Sequence, residues 1–67
     1  MEIKIGTNFK PTFKTTSPLT FELVELNREK DYAKVKVSNG NGSVWHEDWD
    51  DWHYAEMAFE IGDYVIC

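Results

Sequence analysis

A chain of 67 residues holds one domain, residues 1–67, and can bury only a small core, so we expect marginal stability. Its ten aromatic residues favour a packed globule over disorder. The single cysteine, Cys67, excludes an intramolecular disulfide and a cysteine-based zinc site. The lack of a signal peptide, a lipidation motif or a long apolar run predicts a soluble, cytoplasmic protein.

Charge is divided unevenly along the chain. All seven lysine and arginine residues lie within residues 1–36 together with five acidic residues, whereas residues 37–67 carry seven acidic residues and no lysine or arginine. A negative half of this kind repels nucleic-acid phosphates and anionic lipid headgroups. We therefore expect no direct nucleic-acid or membrane binding, but a protein partner with a basic surface. The oligomeric state stays open.

The beginning of the chain predicts one strand and one loop. Residues 1–5 alternate between polar and apolar side chains, which predicts a short strand that ends at Gly6. Residues 7–18 contain both prolines and predict a surface loop pinned by Phe9 and Phe13, with room for a brief extended piece.

Residues 20–37 predict two strands of a meander. In residues 20–26 the apolar positions change face between Leu23 and Val24, which indicates a β-bulge or a sharp bend. Residues 27–31 form a polar turn, and residues 32–37 alternate regularly again.

A hairpin follows in the sequence. Residues 38–43 contain two Asn-Gly pairs, which are typical of a tight hairpin connection because both residue types tolerate positive φ. Residues 44–49 then predict the returning strand, with Trp45, Glu47 and Trp49 on one face.

From residue 52 onward the apolar spacing becomes helical. One helical face carries Trp52, Ala55 and Phe59. Asp50 or Asp51 can cap this helix, Gly62 stands where a C-terminal glycine belongs, and residues 63–67 predict a last strand. The order β-loop-β-β-β-α-β predicts a mainly β protein with one short helix, folded as a small SH3-like bent sheet or barrel.

Residues 45–53, WHEDWDDWH, combine three tryptophans, four carboxylates and both histidines. Tryptophan is costly to leave in water and carboxylate is costly to remove from it, so the segment predicts an amphipathic surface. We expect Trp52 in the core and one of Trp45 and Trp49 exposed, because burying both would strand the carboxylate of Glu47 between them. An exposed tryptophan is a typical interface anchor. The predicted protein-binding residues, whose carboxylates from residue 48 onward we expect to form one negative surface, are Trp45, Glu47, Asp48, Trp49, Asp50, Asp51, Glu56 and Glu60.

Three segments carry a family resemblance: GTNF at 6–9, WHEDWD at 45–50 and FEIGDY at 59–64. In this layout, which covers most of the chain, the protein resembles small uncharacterised bacteriophage proteins with SH3-like β-barrels. The resemblance implies an inhibitor or accessory factor that acts in a host bacterium by binding. It carries over no functional residue.

Two other functional classes stay open. An SH3-like peptide-recognition module would use the same aromatic and acidic residues to select basic ligands. A small metal-dependent or hydrolytic enzyme would need His46 and His53 with the intervening aspartates as ligands, or paired carboxylates such as Glu47 and Asp50. The H-x6-H spacing is not a recognised ligand pattern, and a chain this small has little volume for a catalytic pocket. We therefore expect no catalytic residue, no cofactor and no metal.

Overall fold

A computed structural model describes residues 3–67 and shows five strands and one helix in that range. In chain order the elements are β1 Asn8–Pro11, β2 Leu19–Asn27, β3 Tyr32–Asn39, β4 Val44–Asp50, α1 Trp52–Ile61 and β5 Tyr64–Ile66. The strands form one antiparallel sheet in the order β4-β3-β2-β1-β5. The prediction of a mainly β protein with one short helix is confirmed. The sheet is bent but not closed into a barrel, so β4 and β5 are its two edges.

The first strand lies later in the chain than predicted. The predicted strand at residues 1–5 is wrong for residues 3–5, which are not extended into the sheet, and its first two residues lie outside the described part. Ile3 is nevertheless buried in the core, whereas Ile5, predicted to share its inward face, is exposed. A short alternating segment therefore supplied one core residue without pairing as a strand.

The segment predicted as a loop contains β1. Phe9 is completely buried there, and Lys10 and Pro11 pair with β5. The brief extended piece expected in this segment is therefore β1, which ends at Pro11, a position in a strand where proline is tolerated. Phe13, expected to pin the loop, is exposed instead.

The predicted meander is confirmed. The register of β2 against β3 shifts between Leu23 and Glu25, which is the bulge indicated by the change of face. Leu23 lies opposite Val35 and Leu26 opposite Ala33, so the apolar residues on both sides of the bulge face the core. The bulge thus reconciles the sequence pattern with a single buried face.

The hairpin between β3 and β4 is held by its asparagines. The side chain of Asn39 accepts a hydrogen bond from the N–H of Asn41 at 3.1 Å, and Asn41 in turn accepts from the N–H of Ser43 at 3.0 Å. Gly42 has φ +96°, a conformation that L side chains rarely adopt. The predicted hairpin is confirmed, with β3 extending two residues further than expected.

The core lies between the inner face of the sheet and α1. Ring centroids of Phe9 lie 6.4 Å from Trp52 and 5.0 Å from Phe59, so β1 and the helix meet at these side chains. Trp52 is 1% exposed, as predicted. The buried hydrophobic residues are Ile3, Phe9, Phe21, Leu23, Ala33, Val35, Val37, Trp52, Ala55 and Phe59.

Helix α1 ends as predicted at Gly62, which has φ +92° and donates its N–H to the carbonyl of Phe59 at 3.3 Å. Across residues 3–67, no helix has the length and apolar character needed to cross a membrane.

Candidate functional site

An open cleft of about 430 Å³ lies between the end of β4, helix α1 and the start of β5. Four aromatic side chains line it: Trp49, Trp52, Tyr54 and Tyr64. Three aspartates also line it: Asp48, Asp50 and Asp51. Two small residues of α1, Ala55 and Ala58, complete the lining, and within residues 3–67 no lysine or arginine contributes to it. The volume lies within the range of ligand-binding pockets, about 300–1,000 Å³.

The aromatic side of the cleft is centred on Trp49. Its ring stacks on that of Tyr64, with 6.1 Å between centroids, and lies 6.2 Å from the ring of Trp52. Trp49 stands opposite Ala33 in the β3–β4 register, so it lies on the inner face of the sheet and packs against the core. The core therefore fixes the aromatic wall in position.

Glu47 holds two tryptophans together on the same face. The indole Nε1 of Trp45 donates to its carboxylate at 2.7 Å and that of Trp49 donates at 3.0 Å. Trp45 is 38% exposed and Trp49 is partly buried, which confirms that one of the two is exposed. The carboxylate is not stranded, because it stays exposed and accepts both indole N–H groups. Sequence spacing placed the three side chains on one face but did not predict these hydrogen bonds.

The predicted acidic residues divide into two groups. Asp48, Asp50 and Asp51 line the cleft, with Glu47 beside them on β4, whereas Glu56 and Glu60 project from the other flank of α1. A helix turns about 100° per residue, so Glu60 lies about 160° around the axis from Ala58, which lines the cleft. Glu56 forms an ion pair with Arg28 at 3.1 Å, and the guanidinium of Arg28 also donates to the carbonyl of Ile3. Glu56 and Glu60 therefore lie apart from Asp48 in the structure. The acidic residues do not form the single negative surface expected from the sequence.

Two tyrosines near the cleft have raised pKa values. Tyr32 donates its hydroxyl to Asp48 at 2.7 Å, and this hydrogen bond, with smaller contributions from burial and neighbouring carboxylates, raises the pKa of Tyr32 to about 12. Burial, followed by the negative charges of Asp63 and Glu47, raises the pKa of Tyr64. Both phenols are therefore uncharged near neutral pH and able to donate a hydrogen bond, as Tyr32 does to Asp48.

Helix α1 is capped by a residue that sequence reasoning missed. Asp51 occupies the N-cap position, but it has φ +57° and makes no side-chain capping hydrogen bond. Asp31, in the β2–β3 turn, accepts the N–H of His53 on Oδ1 and that of Trp52 on its carbonyl, each at 2.9 Å. The prediction that Asp50 or Asp51 can serve as the N-cap is confirmed in position at Asp51, but the capping hydrogen bonds come from Asp31. A cap supplied from a distant turn has no signal in local spacing.

The same corner gathers three groups able to bind a metal ion. Ligand atoms of Asp31, Asp51 and His53 lie within 4.8 Å of one another, and Nδ1 of His53 pairs with Asp31. Carboxylate and imidazole are common ligands of divalent metals. His46, considered from the sequence as a partner of His53, stands opposite Lys36 in the sheet and is not part of this group. The capping hydrogen bonds and the His53–Asp31 pair already account for the arrangement.

Comparisons of the chain with models of protein families, with curated proteins and with solved structures found no match. The geometry and charge of the cleft therefore carry the functional proposal.

Proposed function

We propose that this protein is a non-enzymatic binding protein that docks an acidic and aromatic surface on a basic surface of another protein. The surface consists of the cleft and the adjoining face of β4, with Trp45, Glu47 and Trp49 on the strand and three aspartates beside them. The observation that supports it most directly is the meeting of four aromatic residues and three aspartates in the lining of one cleft.

The aspartates of the cleft form no salt bridge within residues 3–67, although Asp48 stands opposite Lys34 in the β3–β4 register. Within residues 3–67, salt bridges join Arg28 to Glu56 and His53 to Asp31, and neither involves Asp48, Asp50 or Asp51. Carboxylates close together repel one another, and a cationic partner relieves that repulsion. The aromatic side chains add apolar area to the same surface, which is the composition of an interface with strong anchor residues.

The sign of the surface selects the class of partner. A basic face of the required charge is typical of nucleic-acid-binding proteins. Together with the resemblance to small bacteriophage proteins, this leads us to propose an inhibitor or accessory factor that covers such a face in a host bacterium.

A second candidate is an SH3-like module that recognises proline-rich peptides. The aromatic lining of the cleft favours it, because such peptides dock in aromatic grooves. The dependence of binding on salt concentration distinguishes the two candidate functions. Docking through several charge contacts weakens steeply as ionic strength rises, whereas binding of a proline-rich ligand to aromatic side chains depends on salt much less.

The test is affinity capture from a bacterial lysate with three baits: the wild-type protein, Asp48→Asn with Asp50→Asn, and Glu29→Gln with Glu60→Gln. The two double variants remove the same charge, but only the first changes the cleft. The Asp48→Asn change keeps a side-chain oxygen that can accept the hydroxyl of Tyr32. A captured protein must then be purified and its affinity measured. We expect the cleft variant to lose affinity and the control to keep it, and equal loss in both variants would contradict the proposal.

A further inference from the structure

We propose that the cleft binds an extended, arginine-bearing segment of the partner, which adds as a sixth strand to the free edge of β4. This inference rests on the proposed function and names the chemistry of its ligand. It joins three observations: the position of the cleft at a sheet edge, its aromatic lining and its unpaired carboxylates.

The cleft meets β4 at its edge rather than on one face. Side chains of a strand point alternately to opposite faces, yet the last three residues of β4, Asp48, Trp49 and Asp50, all line the cleft. In the described chain β4 pairs with β3 alone, so alternate N–H and C=O groups along its other edge have no strand partner. An extended segment lying in the cleft is therefore placed to pair with this backbone.

The edge of β4 is better suited to such pairing than the edge of β5. Strand β4 has seven residues, whereas β5 has three. A seven-residue edge offers several backbone hydrogen bonds, which supply affinity, while the neighbouring cleft reads one side chain of the ligand.

The chemistry of the cleft favours a guanidinium group. A planar guanidinium stacks on aromatic rings and donates two parallel hydrogen bonds to a carboxylate. Tyr54 is 63% exposed and Trp49 is partly buried, and both residues line the cleft. Exposed aspartates border the same space. An ammonium group is a more strongly hydrated point charge and matches this combination less well.

A second copy of the same chain is a poor occupant. Pairing two β4 strands would bring Glu47, Asp48 and Asp50 of one copy against the same carboxylates of the other, and like charges on neighbouring strands are destabilising. The charge of the edge thus opposes self-association and favours a basic ligand.

The experiment titrates the full chain with capped peptides of the length of β4, seven residues, in which arginine and valine alternate. Matched peptides replace arginine by citrulline, replace arginine by lysine, or carry N-methyl groups on alternate backbone nitrogens. Fluorescence polarisation gives Kd, and amide chemical shifts of the labelled protein locate the site. We expect citrulline or N-methylation to weaken binding about tenfold or more. We expect the shifts to centre on β4 and the cleft.

Two pairs of variants test the location. Tyr54→Ala and Asp50→Asn change the cleft, whereas Met57→Ala and Glu60→Gln change exposed side chains of α1 outside it. The first pair should weaken binding of the arginine peptide and the second should not.

Several results would overturn the inference. Equal binding of the citrulline peptide would remove the role of charge, and equal binding of the N-methylated peptide would remove strand addition. Equal binding of the lysine peptide would contradict the guanidinium assignment. Tighter binding of a proline-rich peptide with the same number of arginines would favour the SH3-type groove. Shifts along β4 that depend on protein concentration without peptide would indicate a second copy.

The outcome is separable from that of the proposed function. If a purified partner loses affinity for Asp48→Asn with Asp50→Asn but keeps it for Tyr54→Ala, and the peptides do not bind, the acidic surface is used and the cleft inference is wrong. If the partner keeps full affinity for all of these variants, the proposed function is wrong as well.

Discussion

Replacing Trp52 by alanine removes the side chain that joins α1 to the sheet. Trp52 is 1% exposed and its ring lies 6.4 Å from that of Phe9 and 6.2 Å from that of Trp49. Burying a tryptophan removes about 150–250 Å² from water, worth about 4–6 kcal/mol at 25 cal/mol per Å². Part of this contribution remains with alanine, so we expect a loss of about 3–5 kcal/mol.

This loss is large relative to the free energy of unfolding of the whole protein. A chain of this length has a free energy of unfolding of about 3–10 kcal/mol. The melting temperature falls about 4–8 °C per kcal/mol in domains of this size, so Trp52→Ala should melt at least 10 °C lower or fail to fold. Thermal unfolding followed by circular dichroism and by amide NMR measures it.

The matched variant is Trp52→Phe. The indole Nε1 of Trp52 is buried and has no hydrogen-bond partner among the described residues, so phenylalanine sacrifices no hydrogen bond and removes a donor that is costly to bury unpaired. We expect it to cost less than about 2 kcal/mol. If Trp52→Ala melts within a few degrees of the wild type, the assignment of Trp52 to the core is refuted. If Trp52→Phe is as damaging as alanine, Nε1 has a partner and the present account of it is wrong.

Five further substitutions test the helix cap, the hydrogen bond of Tyr32 and the hairpin turn. Asp31→Ala should lower stability by about 1–2 kcal/mol through loss of the helix cap, with a further cost because alanine tolerates φ +53° less well than aspartate. Asp51→Gly should cost nothing or stabilise, because it relieves φ +57°. Urea titration compares the two, and the reverse order would restore Asp51 as the cap. In an ultraviolet absorbance titration, Tyr32→Phe should remove the phenol that ionises near pH 12, and Asp48→Asn should lower that midpoint. Because the pKa of Tyr32 is raised on folding, the stabilising effect of its hydrogen bond to Asp48 is complete below about pH 10 and is lost as the pH rises through about 12. An unchanged titration in both variants would contradict this hydrogen bond. Gly42→Ala should cost about 1 kcal/mol because of φ +96° alone, since an added Cβ meets nothing within 4 Å; unaltered unfolding would show that the turn relaxes.

Local patterns of apolar and turn-forming residues made most of the fold predictable. The strands around the Asn-Gly hairpin, the bulge after Leu23 and the helix ending at Gly62 each follow from a local pattern whose physical cause acts within a few residues. The bounds of strand β1 do not follow from a local pattern. Its four residues end in proline and give no periodic signal, and their pairing with β5 is set by contacts across the whole chain.

In the candidate site, too, local features were predictable from the sequence and long-range contacts were not. The sequence predicted an acidic and aromatic segment with Trp52 in the core, since composition and helical spacing are local properties. It did not predict that Tyr64 would complete the aromatic wall or that Asp31 would cap the helix, because both come from distant parts of the chain. The pairing of Glu56 with Arg28 is likewise long-range, and it is one reason that the acidic residues divide into two groups.

The salt dependence of Kd for a purified captured partner is the sharpest test of docking through the acidic and aromatic cleft. The measurement compares the wild-type protein, Asp48→Asn with Asp50→Asn, and Glu29→Gln with Glu60→Gln, by calorimetry between about 50 and about 300 mM salt. If the cleft docks on a basic surface, the affinity of the wild-type protein and of the control falls steeply with salt, and the cleft variant binds more weakly with a shallower dependence. A cleft variant with the affinity and salt dependence of the wild-type protein would refute docking through the cleft.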